Sequence, residues 1–400
     1  MSERPLSILH VIASLAPRYG GPAKVAELCE SLAERGNRVE IAATTIDGPF
    51  DLDVPIGVPI EQRGCAVTHF QVRRPRTPAT APGLVPWLRK RVCDFDVLHV
   101  HGLYLFPTLA STFVARRSQV PYVHQPHGAL TTYHRAHHPA RKALYETLFE
   151  RRNLRCAAAV RYDSEQERDD ALARGFPEGV VIPPGTPTPP PRPREARVPG
   201  RIAFLGRLSA KKGVDVLLEA LPLVVLAAPA AHLLVAGPDD EGIGEQLRER
   251  ARALGVSDRL TLLGLVTGQE KVDLLCTASV VAAPSIAESF GATVTEAMAV
   301  ETPVVVTRGI PIHEQVDRRS AGLVVDRTPR AMAAGIQRIL GDEALAARLG
   351  ENGRLLVESE YSWAEVARRV EELYRDALNR RLPLPARHTR IESLPGQGMT

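Results

Sequence analysis

Short apolar runs rich in β-branched residues recur along the chain at 6–13, 39–44, 66–70, 96–100, 121–125, 156–161 and 180–182. The same pattern returns at 201–205, 232–236, 259–263, 279–283 and 304–306. Continuous runs of this kind, bounded by Gly and Pro, predict strands buried on both faces. The segments between many of them carry apolar residues at helical spacing, as with Val25, Leu28, Cys29 and Leu32 before Gly36. Helices are likewise predicted over 104–117, 139–154, 217–226 and 243–254, and Ser164 and Glu165 open a polar one that runs to Arg174. Strand and helix in alternation predict an α/β protein with parallel sheets. Residues 47–59 are Pro-rich and read as irregular, and Arg73, Arg74, Pro75 and Arg76 head a loop.

The rhythm breaks once. Residues 183–193 hold so many prolines that neither helix nor sheet interior admits them, so they predict an extended, semi-rigid linker. The expected organisation is an N-terminal domain over 1–185, a linker over 186–199 and a second domain over 200–361. An amphipathic helix over 362–381 follows, with Trp363, Val366, Val370, Leu373, Tyr374 and Ala377 on one face, and then a disordered polar tail over 382–400.

Within the second domain, residues 281–307 read strand, loop, helix, strand. In a βαβ unit the loop after the first strand and the helix N-terminus behind it present free backbone N–H groups, which favour an anion. Two carboxylates, Glu288 and Glu296, flank that place. A neutral, hydroxyl-rich group carried on a phosphate reconciles them with an anion site, because carboxylates accept from sugar hydroxyls and from a ribose diol. Earlier in the same domain, Arg207 and the pair Lys211 and Lys212 follow a strand, in a chain with only six lysines against 44 arginines. A guanidinium fork and a compact ammonium suit a diphosphate whose charge grows as it departs.

Glu-Ser-Phe-Gly at 288–291 followed by Glu-Ala-Met-Ala at 296–299 resembles the Glu-x7-Glu motif of the retaining family-4 glycosyltransferases. The resemblance implies a GT-B fold, with two Rossmann-like domains facing across a cleft. It maps diphosphate contacts onto Arg207 and Lys212, ribose onto Glu296, and the sugar onto Glu288, Ser289 and the Phe290–Gly291 backbone. The turn containing Val266 falls by the nucleotide base. His127 falls near the reaction centre, and His101 has a counterpart of less defined role. Gly20 and Gly21 read either as a close-approach loop by the donor phosphate or as a tight turn. The C-terminal helix is expected to cross back to the first domain. Three places depart from the family pattern: Pro184 stands where Asn is usual, Glu301 where Gly is common, and 309–314 lacks a second Gly.

The implied activity is retaining transfer of a sugar from a nucleoside diphosphate to a hydroxyl of a lipid-linked or growing saccharide, in surface-polysaccharide assembly. No cofactor and no metal are expected, since the histidines at 124, 127, 134, 137 and 138 match no ligand spacing. A sugar-nucleotide epimerase and a non-catalytic sugar-nucleotide-binding protein share the architecture and remain alternatives. A net charge of +4 is too small for a nucleic-acid partner. The excess is concentrated in the N-terminal half, with 26 Lys plus Arg against 20 Asp plus Glu, which favours peripheral contact with an anionic membrane. Five scattered cysteines without a Cys-x-x-Cys pair suggest free thiols in a reducing compartment. A cytoplasmic protein, at most peripheral at the inner face of the membrane, is expected.

Overall fold

The computed structural model describes residues 4–16, 19, 24–74, 76–135, 139–190 and 196–379. Gly20, Gly21, His137, His138 and the expected tail lie outside them. The strands are β1 (Ser7–Val11), β2 (Arg38–Thr44), β3 (Ile46–Asp47), β4 (Phe50–Asp51), β5 (Pro59–Gln62), β6 (Cys65–Phe70), β7 (Val97–His101), β8 (Tyr122–Gln125), β9 (Ala159–Tyr162) and β10 (Val180–Val181) in the first half. The second half contributes β11 (Arg201–Leu205), β12 (His232–Ala236), β13 (Leu260–Gly264), β14 (Val280–Ala283), β15 (Val304–Thr307) and β16 (Leu323–Val325).

The N-terminal sheet runs β10-β9-β8-β7-β1-β2-β6-β5 and the C-terminal sheet β13-β12-β11-β14-β15-β16. All pairings in these two sheets are parallel except β5 with β6. The chain therefore builds two doubly wound, Rossmann-like domains. Each sheet is covered by an apolar layer on both faces, which is why the strand sequences show continuous apolar runs rather than alternation. Chain order reverses between β1 and β7 in one domain and between β11 and β14 in the other. At such a switch point neighbouring connections leave to opposite faces and open a crevice at the carboxyl ends of the strands.

Several elements differ from the sequence expectation. The hairpin-like β3 and β4 fall at the start of the stretch read as irregular, the edge strand β5 begins at its last residue, and a helix spans Leu84–Arg91 where none was predicted. The predicted helix over 139–154 is a helix Pro139–Tyr145, a π turn Glu146–Glu150 and a helix Arg151–Arg155. Of the cysteines, Cys29, Cys65 and Cys276 are buried, Cys156 is half-buried and Cys93 is exposed.

The helix Trp363–Asn379 packs Val366, Ala367, Val370, Leu373, Tyr374 and Ala377 against Ile8, Leu28, Leu32 and Ile41 of the N-terminal domain. Ion pairing fixes it further, with Glu371 held by Arg35 at 2.6 Å and by Arg375 at 2.6 Å. Trp363 also explains Gly185. A Cβ at residue 185 would stand 2.2 Å from the indole ring, so this glycine permits close approach of the returning helix rather than a left-handed turn.

Candidate active site

The carboxyl ends of β11 and β14 meet at the switch point of the C-terminal domain. After β11, residues Ala210–Lys212 form one tight turn and Gly213, at φ +71°, opens the helix Val214–Ala227. A Cβ on Gly213 would stand 2.3 Å from the Pro284 carbonyl, so the two loops touch only because that atom is missing. Across this contact Lys212 Nζ lies 2.6 Å from Glu288 Oε1, and the Ser285 hydroxyl donates to the same oxygen at 2.7 Å. Arg207 stands apart from this pair. Its guanidinium faces Asp240 at 3.2 Å, with both side chains 40% exposed.

Phe290 is buried against Tyr361, with ring centroids 5.2 Å apart, so its side chain anchors the loop from within the core. Gly291 adopts φ +108° at the start of the helix Ala292–Ala299, and a Cβ there would meet Ile310 at 2.4 Å. That helix carries Glu296, which is almost wholly buried between two ammonium groups, Lys24 at 2.5 Å and Lys271 at 3.0 Å. Burial works against its ionisation, but the two lysines hold its carboxyl below the usual range. Lys24 comes from the N-terminal domain, so this pair spans the cleft. Val266 is half-buried against the apolar layer that contains Phe290.

On the opposite wall, His127 follows β8 with φ +58°, a left-handed conformation that is uncommon outside glycine. Gly128 follows at φ +77°, and a Cβ on it would stand 2.2 Å from Ser289 Oγ of the other domain. The sugar-side loop and the His127 turn are therefore in direct apposition. Lys211 also reaches across, its Nζ 5.1 Å from the centre of the Tyr133 ring. Burial and the neighbouring Lys212 lower its pKa, against the pull of Glu288.

Behind His127 lies a row of imidazoles that its sequence positions do not announce. His127 Nε2 is 2.9 Å from His101 Nδ1, and His101 Nε2 is 2.9 Å from His10 Nδ1. His10 Nε2 lies 3.3 Å from the Tyr374 hydroxyl, which is 2.6 Å from His99 Nδ1. Asp163 closes the cleft end of the row, 3.5 Å from His127 Nδ1, with its other oxygen accepting from Gln125 at 2.6 Å. Burial and the Arg161 cation push His10 down to about 3, and burial also drives His99 and His101 well below the usual histidine range. These rings are uncharged at neutral pH.

Among the described residues, His10, His99 and His101 form the one cluster tight enough to converge on a metal ion. The rings of His99 and His101 stack at 4.2 Å and those of His10 and His101 at 5.2 Å, so their in-plane lone pairs run side by side. The nitrogens are bonded to one another and to Tyr374, which suits a hydrogen-bonded row better than a coordination shell.

The structure thus gathers His127, Ser289, Phe290, Gly291, Glu288 and Lys212 around one cleft, sets Arg207 on its rim, and places Glu296 deeper, at the domain junction. Sequence reasoning passed over Lys24, Lys271, Asp163, His10 and Tyr374. For two of them a signal existed. Lys24, Lys211, Lys212 and Lys271 are four of the six lysines in the chain, and all four make contacts that line or span the cleft.

Residues 20–185 match the family model Glycosyl transferase 4-like domain, and residues 193–356 match Glycosyl transferases group 1. With the paired Rossmann-like domains, these matches place the chain in the family-4 glycosyltransferases of GT-B fold. An uncharacterized glycosyltransferase of Methanocaldococcus jannaschii is 33% identical over 178 residues, covering 44% of this chain and 45% of that protein. The GDP-mannose:cellobiosyl-diphosphopolyprenol alpha-mannosyltransferase of Komagataeibacter xylinus is 26% identical over 404 residues, covering 95% of this chain and 96% of that one. The chain spans about half the length of the first curated relatives it matches. Among solved structures, Anabaena HepE in complex with UDP-glucose shares the fold with a TM-score of 0.73 at 18% identity, over 92% of this chain and 99% of that one.

Proposed function

We propose that the protein transfers a sugar, with retention of anomeric configuration, from a nucleoside diphosphate to a hydroxyl acceptor. The observation that carries this reading is the pair of lysine-bound carboxylates, Glu288 and Glu296, seated by the strand switch point opposite His127. Each carboxylate has lysine as a partner that a ligand can replace or share. Sugar hydroxyls would donate to Glu288 while Lys212 turns to the diphosphate, and the ribose diol would donate to Glu296. Arg207, on the rim, would close on the same diphosphate. The departing phosphate would take the acceptor proton on the face from which it leaves, so no protein nucleophile is required.

Lysine and arginine meet the diphosphate charge in this scheme, and transfer is expected to proceed without added metal. Screening UDP-, GDP-, ADP- and dTDP-sugars by thermal stabilisation, then by mass spectrometry of the nucleotide product, tests the reading. One nucleotide sugar should stabilise the protein and release its nucleoside diphosphate, at a rate unchanged by chelator. An isomerised sugar nucleotide as sole product, binding without turnover in the presence of saccharide acceptors, or no shift with any donor would overturn it.

The Komagataeibacter relative acts, by its name, on a diphosphopolyprenol-linked saccharide, and a lipid-linked or growing saccharide is the acceptor class proposed here. No helix among the described residues is long and apolar enough to cross a membrane. A groove of about 420 Å³ on the N-terminal domain is lined by Phe106, Phe113, Leu148, Arg116 and Arg152. Leu148 beside it is 58% exposed and Leu144, one turn earlier, 62%. Apolar side chains rimmed by guanidinium groups suit the surface of an anionic bilayer, so peripheral contact at the inner face is proposed. Cosedimentation with phosphatidylglycerol vesicles should fall by roughly tenfold in a Leu144→Ser, Leu148→Ser variant, by the apolar area lost. Equal binding by the variant would remove this surface from the proposal.

A further inference from the structure

His127, His101 and His10 come from three different strands or their ends, and Tyr374 comes from the helix that returns from the other domain. Their hydrogen bonds leave little freedom. A neutral imidazole has one N–H and one bare nitrogen, so fixing one proton in a row fixes the others. Asp163, facing His127 Nδ1 at 3.5 Å, can only accept when ionised. A neutral His127 therefore carries its proton on Nδ1, and its Nε2 must accept from His101 Nδ1–H. The bare Nε2 of His101 accepts from His10 Nδ1–H, whose Nε2 accepts the Tyr374 hydroxyl proton. Tyr374 then accepts from His99 Nδ1–H. The last bare atom, His99 Nε2, has no partner, which is consistent with this polarity because the group left over is an acceptor rather than a buried N–H. Arg161, Glu167 and His124 pack around the row, and none of them interrupts it.

We propose that Asp163, His101, His10 and Tyr374 are positioning residues that act through His127, holding its ring as the Nδ1–H tautomer and tying the cleft to the domain-crossing helix. Both ring nitrogens of His127 are engaged from behind, so the ring serves as an anchor for the left-handed turn that faces Ser289 rather than as a proton carrier. The inference rests on the transferase reading only for its kinetic consequence. The tautomer assignment stands independently of it.

The experiment combines histidine-selective ¹⁵N labelling with steady-state kinetics on the full chain. Two-bond ¹H–¹⁵N spectra should show His10, His99, His101 and His127 as Nδ1–H tautomers. In Tyr374→Phe, which removes one oxygen from the far end, His99, whose ring is bonded only to that hydroxyl, should become a mixture of tautomers while His10 keeps its proton on Nδ1. His101→Leu should lower kcat roughly tenfold, with the donor KM within about twofold, because an orienting contact rather than donor binding is lost. His101→Gln, whose amide N–H can still donate to His127 Nε2, should recover most of that loss. An Nε2–H tautomer at His101 or His127, or equal kcat for His101→Leu and the wild type, would overturn the proposal. Failure of the donor screen would strike the transferase reading alone, because the spectra test the row without any substrate.

Discussion

Lys212→Ala is expected to reduce kcat/KM for the sugar nucleotide by about 10²–10³-fold, the usual loss when one preorganised group facing developing charge is removed. Lys212 sits on the tight turn before Gly213, with its ammonium 2.6 Å from Glu288. Its side chain is 21% exposed and that of Glu288 13%, so the pair is poorly hydrated and its charges are felt strongly. In the unliganded state the ammonium neutralises Glu288. With donor bound, the same atom can swing to the diphosphate while Glu288 accepts from the sugar. The alanine variant loses both roles and leaves Glu288 with the Ser285 hydroxyl.

Glu288→Gln separates the two roles, since it keeps volume and one acceptor oxygen while freeing Lys212. It should weaken sugar recognition with a smaller loss of nucleoside diphosphate affinity. Kinetics for both variants and thermal stabilisation by the nucleoside diphosphate alone are the measurements. Near-normal kcat/KM in Lys212→Ala, with its fold intact by circular dichroism, would remove the residue from the mechanism.

The unequal legibility of these residues has physical causes. Buried parallel strands write themselves as continuous apolar runs, so β11, β14 and β15 were readable within a residue or two. Arg207, Lys212 and Glu288 lie in loops directly after such strands, where position along the chain nearly fixes position in space. The helix Leu84–Arg91 was hidden because only Leu84 and Leu88 are buried on it and Pro86 lies in its first turn. β5 begins with Pro59 and lies exposed at a sheet edge, so it needs no apolar run. The histidine row was invisible for another reason. Residues 10, 101, 127, 163 and 374 are brought together only by the order β9-β8-β7-β1 and by the returning helix. Glu301 shows the reverse case. Its φ of +60° is a left-handed conformation that favours glycine, the residue that the resemblance implies at this position.

The same buried rings predict marked acid instability. His10 is pushed down to about 3 and His124 to about 4, chiefly by burial, and His99 and His101 lie well below the usual range. In the unfolded chain these four groups bind protons near pH 6.5. Between that pH and their folded values the unfolded state binds more protons, so stability falls as pH falls. Two buried carboxyls run the other way. Burial pushes Glu150 up to about 7 and Glu167 to about 8, so above roughly pH 4.5 the folded state holds protons that the unfolded state has released. Their stabilisation is complete in acid and is lost as pH rises through 7 to 8. Near pH 5.5 the four histidines outweigh the two carboxyls by roughly two protons, a slope of about 3 kcal/mol per pH unit. Below about pH 4.5 the unfolded carboxyls protonate, the offset vanishes and the slope steepens. Maximal stability near neutrality and loss of the fold by about pH 4–5 follow for a domain of ordinary stability. Urea unfolding at pH 7.0, 6.0 and 5.0 measures the slope directly. In His10→Asn it should fall by about one proton, or roughly 1.4 kcal/mol per pH unit. A stability that stays level from pH 7 to 5 would mean that these histidines are charged in the folded protein, and the one-way hydrogen-bond polarity behind His127 would then be lost.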